Sequence, residues 1–295
     1  MYYLLFTSCF LISLLPLRVL YLLSDGIYLV LYYGVGYRKK VVTANLLQAF
    51  PEKSAHERAT LAKKFYRGLT DTMVETIKLM TLSPRALNKR FTADLRLLHV
   101  LETSGKSIQI HLGHYFNWEW ANLYFKLQTR QPFLVTYMPM SNKAADRLFR
   151  YLRARFGSVM IPATDVLRTM HPWQGKPYIS VLVADQNPGK VRRAYWYPFM
   201  NKMTAFYKGP ELSARRGDLV VVFGEIQKVK RGHYHIVLKL ASEHPALEPE
   251  GAVTRAFVEF LEKGIRAQPE NWVWSHRRWK HTWKGGEEKE GVQES

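Results

Sequence analysis

Short apolar runs separated by helical stretches leave this chain few architectures. Ser107–His111 (SIQIH), Phe133–Tyr137 (FLVTY) and Tyr178–Ala184 (YISVLVA) read as buried strands, with Ser158–Pro162 (SVMIP) a shorter candidate. Leu219–Gly224 (LVVVFG) and His233–Leu240 (HYHIVLKL) add two more, the second with alternating polarity. Between them, Trp118–Leu127 and Asn142–Phe156 read as helices, and Thr254–Gln268 as a closing amphipathic helix capped by Thr254. Strands alternating with helices predict a layered α/β fold with a mostly parallel sheet. Upstream, Ser54 and Glu57 form a capping box ahead of Leu61, Phe65, Leu69 and Met73, which predicts a helix of six or more turns. Ser83-Pro84 starts a short helical piece.

The first 37 residues are of another kind. MYYLLFTSCFLISLLPLRVLYLLSDGIYLVLYYGVGY has only Arg18 and Asp25 as charges, and Arg38-Lys39-Lys40 follows at once. About 20 apolar helical residues cross a hydrocarbon core, so this segment is long enough for a membrane helix plus an interfacial piece. Without a basic leader or small-residue cleavage site, a cleavable signal peptide is not expected. The basic cluster predicts that the body lies on the cytoplasmic side. The expected organisation is a membrane-anchoring segment over 1–37, a cytoplasmic body over 38–284 and a polar, disordered tail over 285–295.

Lys and Arg number 43 against 24 Asp and Glu, a formal charge of +19. That field favours anionic partners: a phosphorylated lipid, an anionic membrane face, an acidic carrier protein or nucleic acid. Cys9 is the single cysteine, which excludes an intramolecular disulfide and a cysteine-based zinc site.

Chemistry concentrates in HLGHYFNWEW, residues 111–120, which follows a strand and precedes a helix. Open α/β sheets place their sites there, beyond the carboxyl ends of strands. Of the ten histidines only His114 has an acid five positions on, Glu119. A carboxylate beside an imidazole fixes its tautomer and raises its basicity, which suits a general base; a satisfied polar knot inside the core is the plainer alternative. Asp185-Gln186, ending the YISVLVA strand, falls on the same ledge if the sheet is parallel, or else belongs to an ordinary turn before Pro188-Gly189. Lys143, Arg147 and Arg150 form a basic helix stripe with Arg153 and Arg155 at its end, either a solvated face or a set of forks for phosphate. Asn271–Lys284 (NWVWSHRRWKHTWK) interleaves tryptophans with cations, a mixture that fits a membrane interface or single-stranded nucleic acid. SGKS at Ser104–Ser107 lacks the glycine that a phosphate-binding loop needs, since position 100 is Val100, and there is no G-x-S-x-G elbow. No histidine pair has a third ligand in sight, so no metal site is expected.

His114-Tyr-Phe-Asn-Trp-Glu119 resembles the H-x4-D/E motif of glycerolipid and lipid A acyltransferases, in the NWE form of the lipid A biosynthesis (lauroyl/myristoyl) acyltransferases, within the lysophospholipid acyltransferase superfamily. Glu75, R-x-R-F-G at Arg153–Gly157, Asp185-Gln186, the PFMNKMTAFYKGPELSARRG stretch and the closing WVWSHRRWK follow the same order, over roughly residues 15–284. The resemblance implies a glycerolipid-acyltransferase-like layered sheet flanked by helices, with an N-terminal membrane helix, on the cytoplasmic face of a bacterial inner membrane. It implies acyl transfer from acyl-carrier protein or acyl-CoA to a hydroxyl of a lipid A precursor, with no cofactor, no metal and no nucleic acid. His114 would be the base and Glu119 would orient it. Arg153 or Arg155 would bind phosphate or steady the oxyanion, Asp185 and Gln186 would shape the acceptor pocket, and Asn117 would support the motif. The family's usual form runs H-L/F-G-N-W-E; here His111-Leu-Gly is followed by a second histidine, and a role for His111 would put Glu119 eight positions away. Two rival readings stay open: acylation of a lysophospholipid or aminolipid, and a non-catalytic basic protein binding membrane or nucleic acid.

Overall fold

The computed structural model describes residues 1–189 and 191–284; the expected disordered tail over 285–295 lies outside them. The apolar N-terminus forms α1 (Tyr2–Leu14) and α2 (Leu17–Leu29), bent by 118° at the break before Pro16 and Leu17, with a π-helical extension over Val30–Val35. Pro16 lacks the N–H that would continue α1. No single helix here is long and apolar enough to cross a membrane, and the two together, bent at their break, have the length and composition of a broken span or a re-entrant loop. α2 is docked by polar contacts. Ser24 Oγ donates to Asp71 Oδ1 at 2.9 Å, Tyr21 Oη donates to Glu75 Oε1 at 2.7 Å, and Asp25 pairs with Arg231 at 2.7 Å. These contacts occupy the polar groups that a bilayer core would not accept. Leu4, Leu11, Leu22, Val30 and Val35 stay exposed on the outer face.

α3 (Lys39–Ala49) leads to α4 (Ala55–Lys78), whose capping box forms as expected: Ser54 and Glu57 each satisfy the other's backbone N–H. After α5 (Pro84–Asn88) the order is β1 (Phe91–Ala93), α6 (Arg96–Thr103), β2 (Ile108–Leu112), α7 (Trp118–Gln128), β3 (Phe133–Tyr137) and α8 (Lys143–Ala154). Then come β4 (Val159–Pro162), α9 (Val166–Met170), β5 (Ile179–Val183), β6 (Ala194–Phe199), β7 (Lys202–Tyr207), α10 (Gly209–Gly217), β8 (Val220–Lys230), β9 (His233–Ser242) and α11 (Ala252–Ala267). The main sheet runs β1-β9-β8-β2-β5-β3-β4, parallel at every pairing except the β8–β9 hairpin. β6 and β7 form a separate antiparallel ribbon. β2 pairs with β5 and β8 on its two sides, so the carboxyl ends of β2 and β5 lie side by side.

The expected cap of the last helix is different in kind. Gly251, not Thr254, is the N-cap of α11, and buried Glu211 of α10 satisfies the exposed donors: Oε1 accepts the Gly251 N–H at 2.6 Å and Oε2 the Thr254 N–H at 2.8 Å. A carboxylate there also complements the helix dipole. Glu211→Gln turns an amide N–H toward a donor and is expected to cost about 1–3 kcal/mol, read as a lower midpoint in urea or thermal unfolding.

Candidate active site

The β2 strand ends at Leu112, and the next residues run along the edge of the sheet before α7 begins. Gly113 leaves room there: a Cβ would sit 2.5 Å from Leu261 Cδ1 and 3.0 Å from Tyr115 Cε2, so either side chain would have to shift. Asn117 caps α7 in a left-handed conformation (φ 67°), which asparagine tolerates better than most residues. This turn sends Trp118 and Glu119 away along α7, leaving His114 on the sheet edge.

Asp185, at the end of β5, is the partner His114 finds. Its Oδ1 accepts His114 Nδ1–H, its Oδ2 accepts the His114 backbone N–H at 2.8 Å, and Trp272 Nε1–H donates to the same Oδ2 at 2.6 Å. The carboxylate is buried, which alone would favour its acid form; the His114 ring, its two hydrogen bonds and the Trp272 donor outweigh that and hold Asp185 down at about 2. With Nδ1–H committed to Asp185, the Nε2 lone pair accepts from Gln186 Nε2 at 2.9 Å. His114 keeps 17% of its side chain exposed while Asp185 keeps 1%, so substrate can reach the imidazole but water cannot reach its partner.

The contact expected between His114 and Glu119 is therefore not the one the structure makes. Glu119 is clamped by Arg153 instead: Nε lies 2.9 Å from Oε2 and Nη2 2.6 Å from Oε1, a side-on fork. Trp118 links the two pairs, with its ring edge-on to the His114 ring at 5.4 Å and its Nε1–H donated to Glu119 Oε1 at 3.1 Å. Arg155 is elsewhere, donating to the Leu79 and Leu82 carbonyls beyond α4, the latter at 2.7 Å. Asn117 faces the N-terminal side: its Nδ2–H donates to Glu75 Oε2 at 2.6 Å, and Tyr234 Oη donates to the same oxygen at 2.7 Å. His111 points into the core, where Gln109 holds it at 2.6 Å and burial pushes it down to about 3.

The WVWSHRRWK stretch is a strap across the site, which corrects its reading as an interface-lying segment. Phe116 N–H donates to the Asn271 carbonyl at 2.9 Å and Val273 N–H to the His114 carbonyl at 3.1 Å, so the strap zips onto the histidine loop. Asn45 of α3 anchors it by donating to the Trp274 and His276 carbonyls. Trp272, Trp274 and Arg278 are buried, which removes them from stacking on nucleic acid or lipid headgroups. Sequence reasoning missed Trp272; its only signal was a tryptophan-rich run with no place yet in the fold. Among the described residues no group of three His, Cys, Asp or Glu comes together as a metal site.

Two outcomes follow from these buried acids. Glu119→Gln leaves the Arg153 charge without its carboxylate and is expected to cost about 3 kcal/mol, whereas Glu119→Met with Arg153→Met should lose less, as read by urea denaturation. Glu75 is raised by burial to about 7 against an ordinary 4.5. The native state then holds a proton that the unfolded chain has released, so the contribution of Glu75 to stability is full below about 4.5 and is lost as pH rises through about 7. Glu75→Gln is expected to flatten that slope in unfolding free energies measured across the window.

A family model described as "Bacterial lipid A biosynthesis acyltransferase" matches residues 1–281. Among similar proteins are the lipid A biosynthesis lauroyltransferase of Escherichia coli K12, 25% identical over 269 residues, and the palmitoleoyltransferase of the same strain, 24% identical over 246. The first alignment covers 90% of this chain and 87% of that relative; the second covers 82% and 79%. The lipid A biosynthesis acyltransferase of Shigella flexneri is likewise 24% identical over 246 residues, covering 82% of this chain and 79% of its own.

Proposed function

The chain belongs to the bacterial lipid A biosynthesis acyltransferases, and on that premise we propose that it moves a fatty acyl group from a thioester, on acyl-carrier protein or CoA, to a hydroxyl of a phosphorylated lipid A precursor. The observation that supports this most is the buried Asp185 holding His114 Nδ1–H and so leaving Nε2 as an unprotonated base at an accessible edge. The acceptor hydroxyl displaces Gln186 from Nε2 and gives up its proton there as its oxygen attacks the thioester carbonyl. Asp185 stabilises the imidazolium that forms. As the tetrahedral intermediate collapses, the carbon–sulfur bond breaks and the thiolate takes the proton from Nε2. No acyl-enzyme is formed, and the step draws on no cofactor.

In this reading His114 and Asp185 form the reacting pair, and Gln186, released from Nε2, donates its amide to the acceptor. Glu119 and Arg153 act one layer out: their ion pair fixes Trp118 against the imidazole, and Asn117 fixes the turn from behind through Glu75. Arg155 holds the end of α4 in place instead of touching substrate. The exposed apolar face of the bent N-terminal pair is read as the membrane contact, seated in the cytoplasmic leaflet of the inner membrane, because the polar bonds of α2 to the body keep it from crossing as a free helix. The excess of cations suits a phosphorylated acceptor and an acidic carrier protein.

The test is acyl transfer by membranes containing the protein, with carrier-protein and CoA thioesters offered separately against lipid A precursor and lysophospholipid. His114→Ala is expected to abolish transfer, and Asp185→Asn to lower it by about 10²–10⁴-fold with little change in KM. Transfer that survives His114→Ala, or that favours lysophospholipid, overturns the reading.

A further inference from the structure

Where the apolar N-terminal pair ends, the surface turns cationic. Val30, Tyr33 and Val35 are exposed on its last turns, and a groove of about 780 Å³ opens one residue further on, at Gly36. Arg38, Lys39 and Lys40 line it, with Ala44 and Leu47 of α3. Among the described residues no carboxylate pairs with any of the three cations. Like charges gathered at one groove repel one another, a cost that an anion seated there removes.

The groove is joined to the frame of the active site. Arg38 is held in a left-handed conformation (φ 51°), uncommon for a residue other than glycine, and its Nη1–H donates to the Ser275 carbonyl of the strap at 2.9 Å. Asn45, on α3, donates to the carbonyls on either side, those of Trp274 and His276, at 2.7 and 2.8 Å. Two residues before Ser275, Val273 N–H donates to the His114 carbonyl at 3.1 Å. Lys39 is steadied as well, its Nζ lying 4.1 Å from the Tyr32 ring centre. The start of α3 and the histidine loop thus share one strap, which keeps the groove in register with His114.

Size and register choose the occupant. The volume falls within the range of small-ligand sites, about 300–1,000 Å³. A docked protein engages about 20–30 residues a side, against the seven that line this groove, so a carrier protein fits it poorly. Bulk anionic phospholipid needs no register with His114. A lipid whose hydroxyl must reach His114 does.

We propose that the Arg38–Lys39–Lys40 groove seats a phosphate of the lipid acceptor at the membrane face and so holds its headgroup while a hydroxyl reaches His114. That role rests on the proposed acyl transfer; the binding of the phosphate does not.

The test uses full-length protein in neutral detergent, with the phosphorylated acceptor and the same lipid after phosphatase treatment. Lys39→Gln with Lys40→Gln is expected to raise KM for the phosphorylated acceptor about tenfold with kcat little changed, the mark of lost binding and not of lost chemistry. The wild-type protein should show a similar rise with the phosphatase-treated lipid, to which the double variant adds nothing. Lys143→Gln with Arg150→Gln removes the same charge from α8 and should leave KM in place. Lys40→Glu, at an exposed position, should move KM in the same direction as the double variant, and decides the matter if that variant fails to fold by circular dichroism. An unchanged KM, an equal rise with both lipids, an equal effect of the α8 pair or a rise in KM for the acyl donor instead overturns the proposal. Retention of the radiolabelled lipids without acyl donor separates the two readings. A chain that transfers nothing but retains the phosphorylated lipid about tenfold better than the treated one, and loses that preference with Lys39→Gln and Lys40→Gln, overturns the acyl-transfer role alone. Retention of phosphatidylglycerol as strong as that of the phosphorylated acceptor overturns the assignment of the groove to the acceptor.

Discussion

One buried carboxylate organises this molecule. Asp185 accepts from the backbone and ring of His114, 71 positions upstream, and from the indole of Trp272, 87 positions downstream. Three segments distant in sequence, the end of β2, the end of β5 and the C-terminal strap, are held to one another by its two oxygens. Taking an ionised carboxylate out of water is expensive unless its lone pairs are filled, and here they are filled by groups that belong to the site. The interaction that organises the site is the same one that fixes the imidazole tautomer, so stability and chemistry cannot be separated at this point.

Around that centre the protein uses ion pairs as walls. Glu119 and Arg153 tie α7 to α8, and Asp71 ties α4 to the β8–β9 turn through Lys228 and Arg231. Each stands at the edge of the core, where a fork geometry rewards exact placement and an unpaired charge would be penalised. Glu75 differs, since tyrosine hydroxyls and an asparagine amide surround it instead of a fork, and it joins the docked α2 to the turn that starts α7. The N-terminal helices are thereby coupled to the motif by hydrogen bonds as well as by packing.

Local signals in the chain were legible because local physics produces them. The Ser54–Glu57 box marks the start of α4 because both partners lie within one turn, and the largely apolar runs around Val135 and Val181 mark strands because a strand covered on both faces shows little polar side. The β6–β7 ribbon was less legible; its tyrosines and charges look like loop composition until Phe199 and Phe206 are seen packed beneath the strap. Glu119 misled for a definite reason. Counting residues from His114 assumes one continuous direction, but the left-handed turn at Asn117 redirects the chain, and the carboxylate leaves along α7 toward Arg153.

By itself, then, the sequence determined the α/β class, the positions of most elements, the apolar N-terminus and the excess of positive charge, since each follows from residue type and short-range order; it also singled out His114 and Asp185 as candidates. Only the tertiary structure decided which acid faces the imidazole, that the tryptophan-rich terminus is a strap and not a free surface, and that Arg278 is buried within it. Those facts depend on the parallel pairing of β2 with β5, which sets two strand ends side by side. Pairing between segments some 70 residues apart is a property of the packed sheet, and no spacing along the chain encodes it.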